Sequence, residues 1–191
     1  MKKMTSFLAI TLMALGLSSC NNKTAAPEAS AEEGDPNKTL VAYFSATGTT
    51  EGFAKQIQEA AAADLYQIEP TKPYTEEDLD WRNEKSRSSV EMGTEGFREP
   101  LGGQSIDVAP YDTIYIGYPI WWDRVPTIIQ TFIESQDFTG KVIIPFATSG
   151  SSTIDNSVAK LKEAYPDLNI LAGKRMNDAT AEDVKAFVAG K

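Results

Sequence analysis

The 191-residue chain has no histidine and only one cysteine, Cys20. Without an imidazole it can build neither a Ser-His-Asp triad nor a histidine metal site. A single cysteine has no partner for an internal disulfide, so the folded part must be stable through packing alone. Basic residues are also few: 18 Lys and Arg stand against 27 Asp and Glu, a formal net charge of −9. This balance argues against a nucleic-acid partner, because phosphate-binding surfaces need clustered Lys and Arg.

The N-terminus has the pattern of an export signal. Met1-Lys2-Lys3 precedes an apolar stretch from Phe7 to Leu17, which is shorter than the about 20 residues that cross a bilayer. It ends in Leu17-Ser18-Ser19-Cys20, which looks like the cleavage box of a bacterial lipoprotein. The alternative is an ordinary secretory signal with a stray cysteine. We expect a signal peptide over 1–19 and a lipid on Cys20.

Residues 20–37 are rich in Ala, Glu, Asn, Lys and Pro and have no apolar periodicity. This composition predicts a flexible tether. The remaining residues, 38–191, have the length of one domain. We therefore expect an exported domain that is anchored to the bacterial cell envelope through its N-terminal lipid only.

Five segments have the composition of strands. Three are apolar and β-rich, at 40–44, 113–118 and 141–146, as in strands buried on both faces of a parallel sheet. Two are shorter and partly polar, at 65–69 and 168–171, and suit sheet edges. With helices between them, this order predicts an α/β fold: a doubly wound, five-stranded parallel sheet of order 2-1-3-4-5, with helices on both faces.

Apolar residues at helical spacing predict four helices between and after these strands. The stripes are Phe53, Ile57 and Ala60 or Ala61; then Val125, Ile128, Ile129, Phe132 and Ile133; then Ile154, Val158 and Leu161; and last Val184, Phe187 and Val188 behind a Thr180 cap. The long connection at 70–110, called the insert below, is too long for a simple β-α link. We expect it to be a partly helical cover, in which Thr75 could cap a short helix.

The first strand runs into a turn of hydroxyls and glycine and then into a helix. Ser45, Thr47, Thr49 and Thr50 would offer hydroxyl donors, and Gly48 would let the backbone come close to an anion. Amides at a helix N-terminus lack intrahelical acceptors, so a phosphate can replace them. The turn is neither a P-loop nor a dinucleotide motif. The alternative is that Thr49 or Thr50 simply caps the helix.

Two further loops follow the central strands, where ligands of such sheets bind. Pro119, Ile120, Trp121 and Trp122 follow the third strand, and adjacent tryptophans on a loop are costly to leave in water. Thr148, Ser149, Gly150, Ser151 and Ser152 follow the fourth strand and offer amide and hydroxyl donors. The alternatives are that both tryptophans pack on neighbouring helices as plugs, and that the second loop caps the next helix.

With these three motifs in this order, residues 38 to the C-terminus resemble the flavodoxins, specifically bacterial flavodoxin-like proteins with Gly-Tyr-Pro-Ile-Trp-Trp after the third strand. The resemblance implies FMN as cofactor. It assigns the phosphate to Ser45, Thr47, Gly48, Thr49 and Thr50. It places Pro119, Ile120, Trp121 and Trp122 beside the isoalloxazine, and Thr148, Ser149, Gly150, Ser151 and Ser152 near its pyrimidine edge.

The chain departs from familiar flavodoxins in two ways. Its loop at 148–152 has no aromatic residue to stack on the outer flavin face, and its insert is longer than in the simplest members. Trp81, Arg82 or Arg87 from the insert could fold over the site, or they could form a surface salt-bridge cluster.

The leading hypothesis is an FMN-dependent electron carrier without a catalytic side chain, which exchanges electrons with a protein or a small molecule. Nearby carboxylates, with Asp123 and Asp155 as candidates, would oppose reduction to an anionic flavin. The alternatives are an FMN-dependent NAD(P)H or quinone reductase and a flavin-free binding module on the same fold.

Overall fold

The computed structural model describes residues 38–190. The predicted signal peptide at 1–19, the lipidation of Cys20 and the tether at 20–37 lie outside the described residues. Along the described chain the elements are β1 (Thr39–Tyr43), α1 (Thr49–Ala61), β2 (Asp64–Gln67), β3 (Glu69–Pro70), α2 (Arg87–Gly93), β4 (Leu101–Gly102), β5 (Thr113–Pro119), α3 (Thr127–Glu134), β6 (Val142–Thr148), α4 (Asp155–Ala164), β7 (Asn169–Ile170), β8 (Lys174–Arg175) and α5 (Ala181–Ala189).

The main sheet is parallel and has the strand order β2-β1-β5-β6-β7. This confirms the predicted order, with β5, β6 and β7 as the third, fourth and fifth strands. In the register, Val41 of β1 lies between Leu65 of β2 and Tyr115 of β5. The order reverses between β1 and β5, so a crevice is expected beyond the carboxyl ends of those two strands.

The edge strand beside β6 is divided, which the sequence did not predict. Ile170 of β7 pairs with Ile143, and Lys174 of β8 pairs with Phe146. The break lies next to Pro145, which has no amide hydrogen to donate to a neighbouring strand. A Cβ on Gly173 would lie 2.9 Å from the carbonyl oxygen of Pro145, so the chain passes this point closely.

Each central strand is buried on both faces, which explains why its sequence is a continuous apolar run. In β1, Leu40 and Ala42 belong to one core cluster and Val41 to the other. The first cluster contains the apolar side of α3 and α4, and the second contains that of α1 and α5. Helices therefore cover both faces of the sheet, as predicted.

The helical stripes are confirmed with one adjustment. All five predicted residues of the α3 stripe are buried, and Thr180 caps α5 through a reciprocal pair of hydrogen bonds with Asp183. In α1 the buried residues are Thr50, Ala54 and Ile57, while Ala60 is exposed. Within residues 38–190, no helix combines the length and the apolar composition needed to cross a bilayer.

The insert is a partly helical cover, as predicted. It is joined to the body at β3, which pairs in antiparallel fashion with β4, and it contains α2. The amide of Thr75 donates to the Asp78 carboxylate at 3.0 Å, and the amide of Asp78 donates to the Thr75 hydroxyl at 3.2 Å. These bonds stabilise a single turn, and the structure has no helix at this point.

Candidate functional site

The three loops predicted at the strand ends converge on one cleft. The cleft has a volume of about 700 Å³ and opens at the carboxyl ends of β1, β5 and β6. Its lining consists of Ala46, Thr47, Thr50, Leu79, Trp81, Ser88, Pro119, Ile120, Trp121, Trp122, Asp123, Ser149, Gly150, Ser151 and Ser152. The position is the topological switch point, where the strand order reverses.

Four of the predicted site residues are not part of this lining, namely Ser45, Gly48, Thr49 and Thr148. Ser45 lies at the base of the first loop, and its hydroxyl oxygen is buried with no hydrogen-bond partner among the described residues. Thr49 is the exposed first residue of α1. Thr148 is buried at the end of β6. Each of the four is next in sequence to a lining residue, but none of them borders the cleft itself.

The N-terminus of α1 has no side-chain cap. Gly48 occupies the cap position with φ 84° and ψ −13°, and neither Thr49 nor Thr50 caps the helix. The alternative interpretation of these threonines is therefore wrong. The amides of the first helical turn, which have no intrahelical acceptors, carry the positive end of the helix dipole toward the first loop. A negatively charged group placed there would be stabilised.

Gly48 is needed for its backbone conformation rather than for space. Its φ lies in the left-handed region, which a residue with a Cβ adopts at a cost. A Cβ at this position would meet no protein atom within 4 Å. The space beside Gly48 is therefore open, and the close approach of an anion to its backbone stays a prediction.

A buried hydroxyl pair joins the first and third loops. The Oγ1 atoms of Thr50 and Thr148 lie 2.8 Å apart, and the two residues are 1% and 4% exposed. In such a pair one hydroxyl donates and the other accepts, so one O–H proton remains for a further acceptor. Thr50 also lines the cleft, so its hydroxyl is both a structural link and a candidate donor.

The second loop is a tight hairpin with strained backbone. The amide of Trp121 donates to the carbonyl of Arg124 at 3.0 Å, and the reverse bond measures 2.9 Å. Between them, Trp122 and Asp123 have φ values of 47° and 58°. Left-handed conformations cost non-glycine residues about 1–2 kcal/mol each. Strain of this kind is concentrated at ligand sites, and it sets the direction of the loop.

The adjacent tryptophans have different environments. Trp121 is partly buried against the core, with its ring edge-on to Phe44 at 5.6 Å and to Tyr74 at 5.3 Å. Trp122 remains 45% exposed beside the cleft. The alternative that both are core plugs is therefore wrong for Trp122, and both residues line the cleft.

The third loop is folded on itself. The amide of Ser149 donates to Asn177 Oδ1 at 2.7 Å, and the hydroxyl of Ser149 accepts from the amides of Ser151 at 3.3 Å and Ser152 at 2.9 Å. Most of the amides expected to face a ligand are thus used within the protein, which corrects that expectation. The loop does not cap α4 either, because the cap position is Ile154, with no side-chain cap.

The insert supplies three lining residues. Leu79, Trp81 and Ser88 border the cleft, and Trp81 is 67% exposed, with the Arg82 guanidinium 5.3 Å from its ring centre. The insert's length and the missing aromatic in the third loop indicated Trp81 as a candidate. Leu79 and Ser88 carry no comparable signal in the sequence.

Arg87 does not reach the cleft and is not part of a surface cluster. Its guanidinium donates to Glu91 at 2.6 Å and to Glu99 at 2.5 Å, and it lies 3.9 Å from the centre of the Tyr74 ring. Both carboxylates are almost fully buried, at 3% and 4% exposure. Burial first, and then the Glu91 charge, raise the pKa of Glu99. Arg87 therefore stabilises the insert.

The charge at the cleft is negative. Asp123 contributes a carboxylate, and none of the described lining residues is Lys or Arg. Asp155, the other predicted carboxylate, is the first residue of α4 and is outside the lining. Within residues 38–190, no group of His, Cys, Asp or Glu side chains could hold a metal ion.

Comparison with solved structures supports the fold and identifies relatives. A candidate flavoprotein from Bacteroides uniformis is 53% identical, with a TM-score of 0.78 over 80% of this chain and 98% of its own. A candidate flavoprotein from Bacteroides eggerthii is 48% identical, with a TM-score of 0.77 over 80% and 96%. A Lactobacillus acidophilus flavoprotein solved in complex with FMN is 24% identical, with a TM-score of 0.59 over 73% and 93%, and shares the fold.

No curated protein has a significant sequence match to this chain. The sequence profile of the family described as Flavodoxin, in contrast, matches residues 38–190, which is the whole part of the chain that the structure describes. The match includes all three cleft loops and the insert. The chain belongs to the flavodoxin family.

Proposed function

We propose that this protein is an FMN-binding electron carrier at the bacterial cell envelope. The observation that carries the proposal is the convergence of three strand-end loops on one cleft beside the uncapped start of α1. Its volume of about 700 Å³ is within the range of about 300–1,000 Å³ for small-molecule sites. Membership of the flavodoxin family and the FMN complex of the Lactobacillus acidophilus flavoprotein support FMN as the ligand.

The first loop would bind the phosphate of FMN. The amides at the start of α1 would donate to it, with hydroxyls from Ser45, Thr47, Thr49 and Thr50 around it and Gly48 setting the turn. The orphaned hydroxyl oxygen of Ser45 supports this assignment, because a buried polar atom without a partner is costly. None of the described lining residues is Lys or Arg, so amide and hydroxyl donors would hold the phosphate.

The other two loops would hold the isoalloxazine. Pro119, Ile120, Trp121 and Trp122 form an apolar wall, and the exposed indole of Trp122 is available for stacking. The loop from Thr148 to Ser152 would lie near the polar edge of the ring. Ser149, Gly150, Ser151 and Ser152 line the cleft, and the Ser149 hydroxyl, which accepts from two amides, keeps its own proton to donate to a ligand.

When bound, FMN would supply the electron transfer that the protein side chains cannot perform. The carboxylate of Asp123, together with the lack of Lys and Arg among the described lining residues, would oppose added negative charge in the cleft. The protein environment would therefore lower the reduction potential of the site. Electrons would pass to or from a redox protein or a small-molecule acceptor.

The location at the envelope is proposed from the sequence. A lipid on Cys20 and the tether at 20–37 would leave residues 38–191 free to meet partners near the membrane. Incorporation of a labelled fatty acid by cells that express the full chain, and its loss in Cys20→Ser, would support the anchor. Equal labelling of both proteins would contradict it.

A hydroxyl deletion tests the phosphate assignment. Thr50→Val should weaken FMN binding about tenfold, because a charge-assisted hydrogen bond is lost, and should change riboflavin binding much less. Thr148→Val is the matched comparison, since it breaks the same hydroxyl pair from the side of the ring loop and should affect FMN and riboflavin equally. Fluorescence titration of the purified protein with both flavins measures these affinities. Equal losses for FMN and riboflavin in Thr50→Val would contradict the assignment.

Turnover distinguishes a carrier from an NAD(P)H or quinone reductase on the same fold. For a carrier, the purified FMN-loaded protein should be reduced only slowly by NADH or NADPH and rapidly by way of a partner reductase. Sustained oxidation of the nicotinamide by the protein alone would replace the carrier proposal with the reductase.

A further inference from the structure

We propose that the insert forms a fourth wall of the cofactor cleft, in which Trp81 covers the outer face of the isoalloxazine and the Ser88 hydroxyl bonds to the ligand. The inference rests on the proposed binding of FMN. The insert would thus cover the ring face that the loops after β5 and β6 leave open.

The exposed indole of Trp81 supports this wall. It is the most exposed large apolar side chain of the described residues, at 67%, and it borders the cleft together with Leu79. Leaving an indole in water is unfavourable, and a flat ligand would cover it. The loop at 148–152 provides no aromatic residue, so Trp81 supplies an aromatic surface that the third loop lacks.

The unbonded hydroxyl of Ser88 supports the wall independently. The residue is 2% exposed, its hydroxyl oxygen has no partner among the described residues, and it lines the same cleft. Its neighbours are satisfied: the Ser86 hydroxyl donates to the Ser89 hydroxyl at 2.8 Å and caps α2. Buried hydroxyls are normally bonded, and those that are not need an explanation. A ligand in the cleft supplies the missing partner.

The wall is held in place by bonds that do not involve the ligand. The amide of Ser88 donates to the carbonyl of Asp78 at 3.0 Å, which ties the segment before Trp81 to α2. Arg87, on the same helix, donates to the carbonyl of Lys72 at 2.8 Å as well as to its two carboxylates. Arg124 of the second loop donates to the carbonyl of Met92 at the other end of α2. The Arg124 bond thus fastens the insert to the second loop, and the other bonds hold the segments of the insert together.

This arrangement has a functional consequence. If Trp81 covers the outer ring face, a nicotinamide cannot stack there, and electrons must be exchanged at the exposed edge of the bound cofactor. The fourth wall therefore favours a carrier over a reductase.

The test uses the full chain and FMN fluorescence titration. Trp81→Ala should weaken FMN binding about tenfold, as expected for loss of one aromatic stacking contact, while Trp81→Phe should keep most of the affinity. Val90→Ala is the matched control, because Val90 is 50% exposed on α2 and does not line the cleft. Its affinity should equal that of the wild type.

Ser88→Ala separates a ligand contact from a structural role. Since the hydroxyl has no partner in the protein, its removal should leave the melting temperature without FMN unchanged or higher, while FMN binding weakens about fivefold. A lower melting temperature with unchanged affinity would overturn the role of Ser88. Wild-type affinity in both Trp81→Ala and Ser88→Ala would overturn the fourth wall and leave the FMN site intact. Failure of the wild type to bind FMN would instead remove the proposed function itself.

Discussion

The sheet and the insert bury different kinds of residue. In the sheet, Leu40, Ile114 and Ile143 are fully buried, and the three central strands β1, β5 and β6 are largely apolar. In the insert, α2 and its surroundings bury Ser86, Ser88, Glu91 and Glu99, with Met92 as the buried apolar residue between them. The sheet is therefore held by the hydrophobic effect, and the part of the insert around α2 by hydrogen bonds and ion pairs with demanding geometry.

The two regions meet at Tyr74. Its hydroxyl donates to Glu91 at 2.6 Å, and its ring lies 5.8 Å from Phe44 of the sheet core and 5.3 Å from Trp121 of the cleft wall. Burial, followed by the bond to Glu91, raises the pKa of Tyr74 far above its usual range, so the hydroxyl keeps its proton. The polar network of the insert thus holds the Tyr74 ring in place against Phe44 and Trp121.

Among the variants proposed for the two regions, loss of Arg87 in the insert should reduce the stability of the protein most. Arg87→Met leaves the Glu91 and Glu99 carboxylates buried without their cation, which should reduce the free energy of unfolding by about 3–5 kcal/mol. Urea denaturation followed by far-ultraviolet circular dichroism measures it. Arg82→Met, at an exposed residue, is the control, with a change within about 0.5 kcal/mol. A small effect in Arg87→Met would mean that the insert does not depend on this network.

A substitution at Gly117 tests how much the stability of the sheet depends on close packing. A Cβ there would lie 2.1 Å from the Phe146 ring, between β5 and β6. Gly117→Ala should therefore destabilise the fold by about 1–3 kcal/mol through overpacking. The double variant with Phe146→Leu should be more stable than the sum of the two single changes predicts, because the ring that clashes is gone. Strict additivity in denaturant melts would contradict this packing account.

The pH dependence of stability should reveal the buried carboxylates of the insert. Burial and the Glu91 charge raise the pKa of Glu99 above its ordinary 4.5, against the opposing effect of Arg87. A raised pKa means that the contribution of Glu99 to stability is complete below pH 4.5 and falls as pH rises through the folded-state pKa. Glu99→Gln should therefore gain stability relative to the wild type from pH 4.5 to 7 in melting experiments. A constant difference would show that this pKa is not raised.

Backbone strain in the second loop should give the smallest effect. Asp123 has φ 58°, so Asp123→Gly should stabilise the free protein by up to about 1 kcal/mol. Asp123→Asn is the control, since it removes the charge and keeps the Cβ. The melting temperature should rise in the glycine variant only. A rise in both variants would point to charge rather than to backbone conformation.

The regular part of the fold could be predicted because burial leaves a periodic pattern. Strands such as β5 are apolar throughout, and the α3 stripe repeats at helical spacing, so order and topology follow from general rules. The division of the edge strand at Gly173 could not be predicted, because it depends on the proximity of that glycine to Pro145. A local sequence pattern does not reveal which distant residues will lie next to each other in the fold.

The cleft, too, could be predicted only as far as local sequence patterns allow. The three loops could be predicted from their places after strands, but two adjacent tryptophans could not be told apart by composition. The left-handed turn at 122–123 leaves Trp122 exposed beside the cleft, while Trp121 packs against Tyr74 of the insert. Ser88 could not be found at all, because its importance comes from a missing partner in three dimensions.

Titration of the purified full chain with FMN and with riboflavin shows whether one cleft recognises both a phosphate and a flat ring. We expect the fluorescence of one FMN per chain to be quenched and riboflavin to bind at least about tenfold more weakly, because only FMN carries a phosphate that reaches the amides of α1. FMN that stays fully fluorescent, or riboflavin that binds equally well, would contradict this expectation.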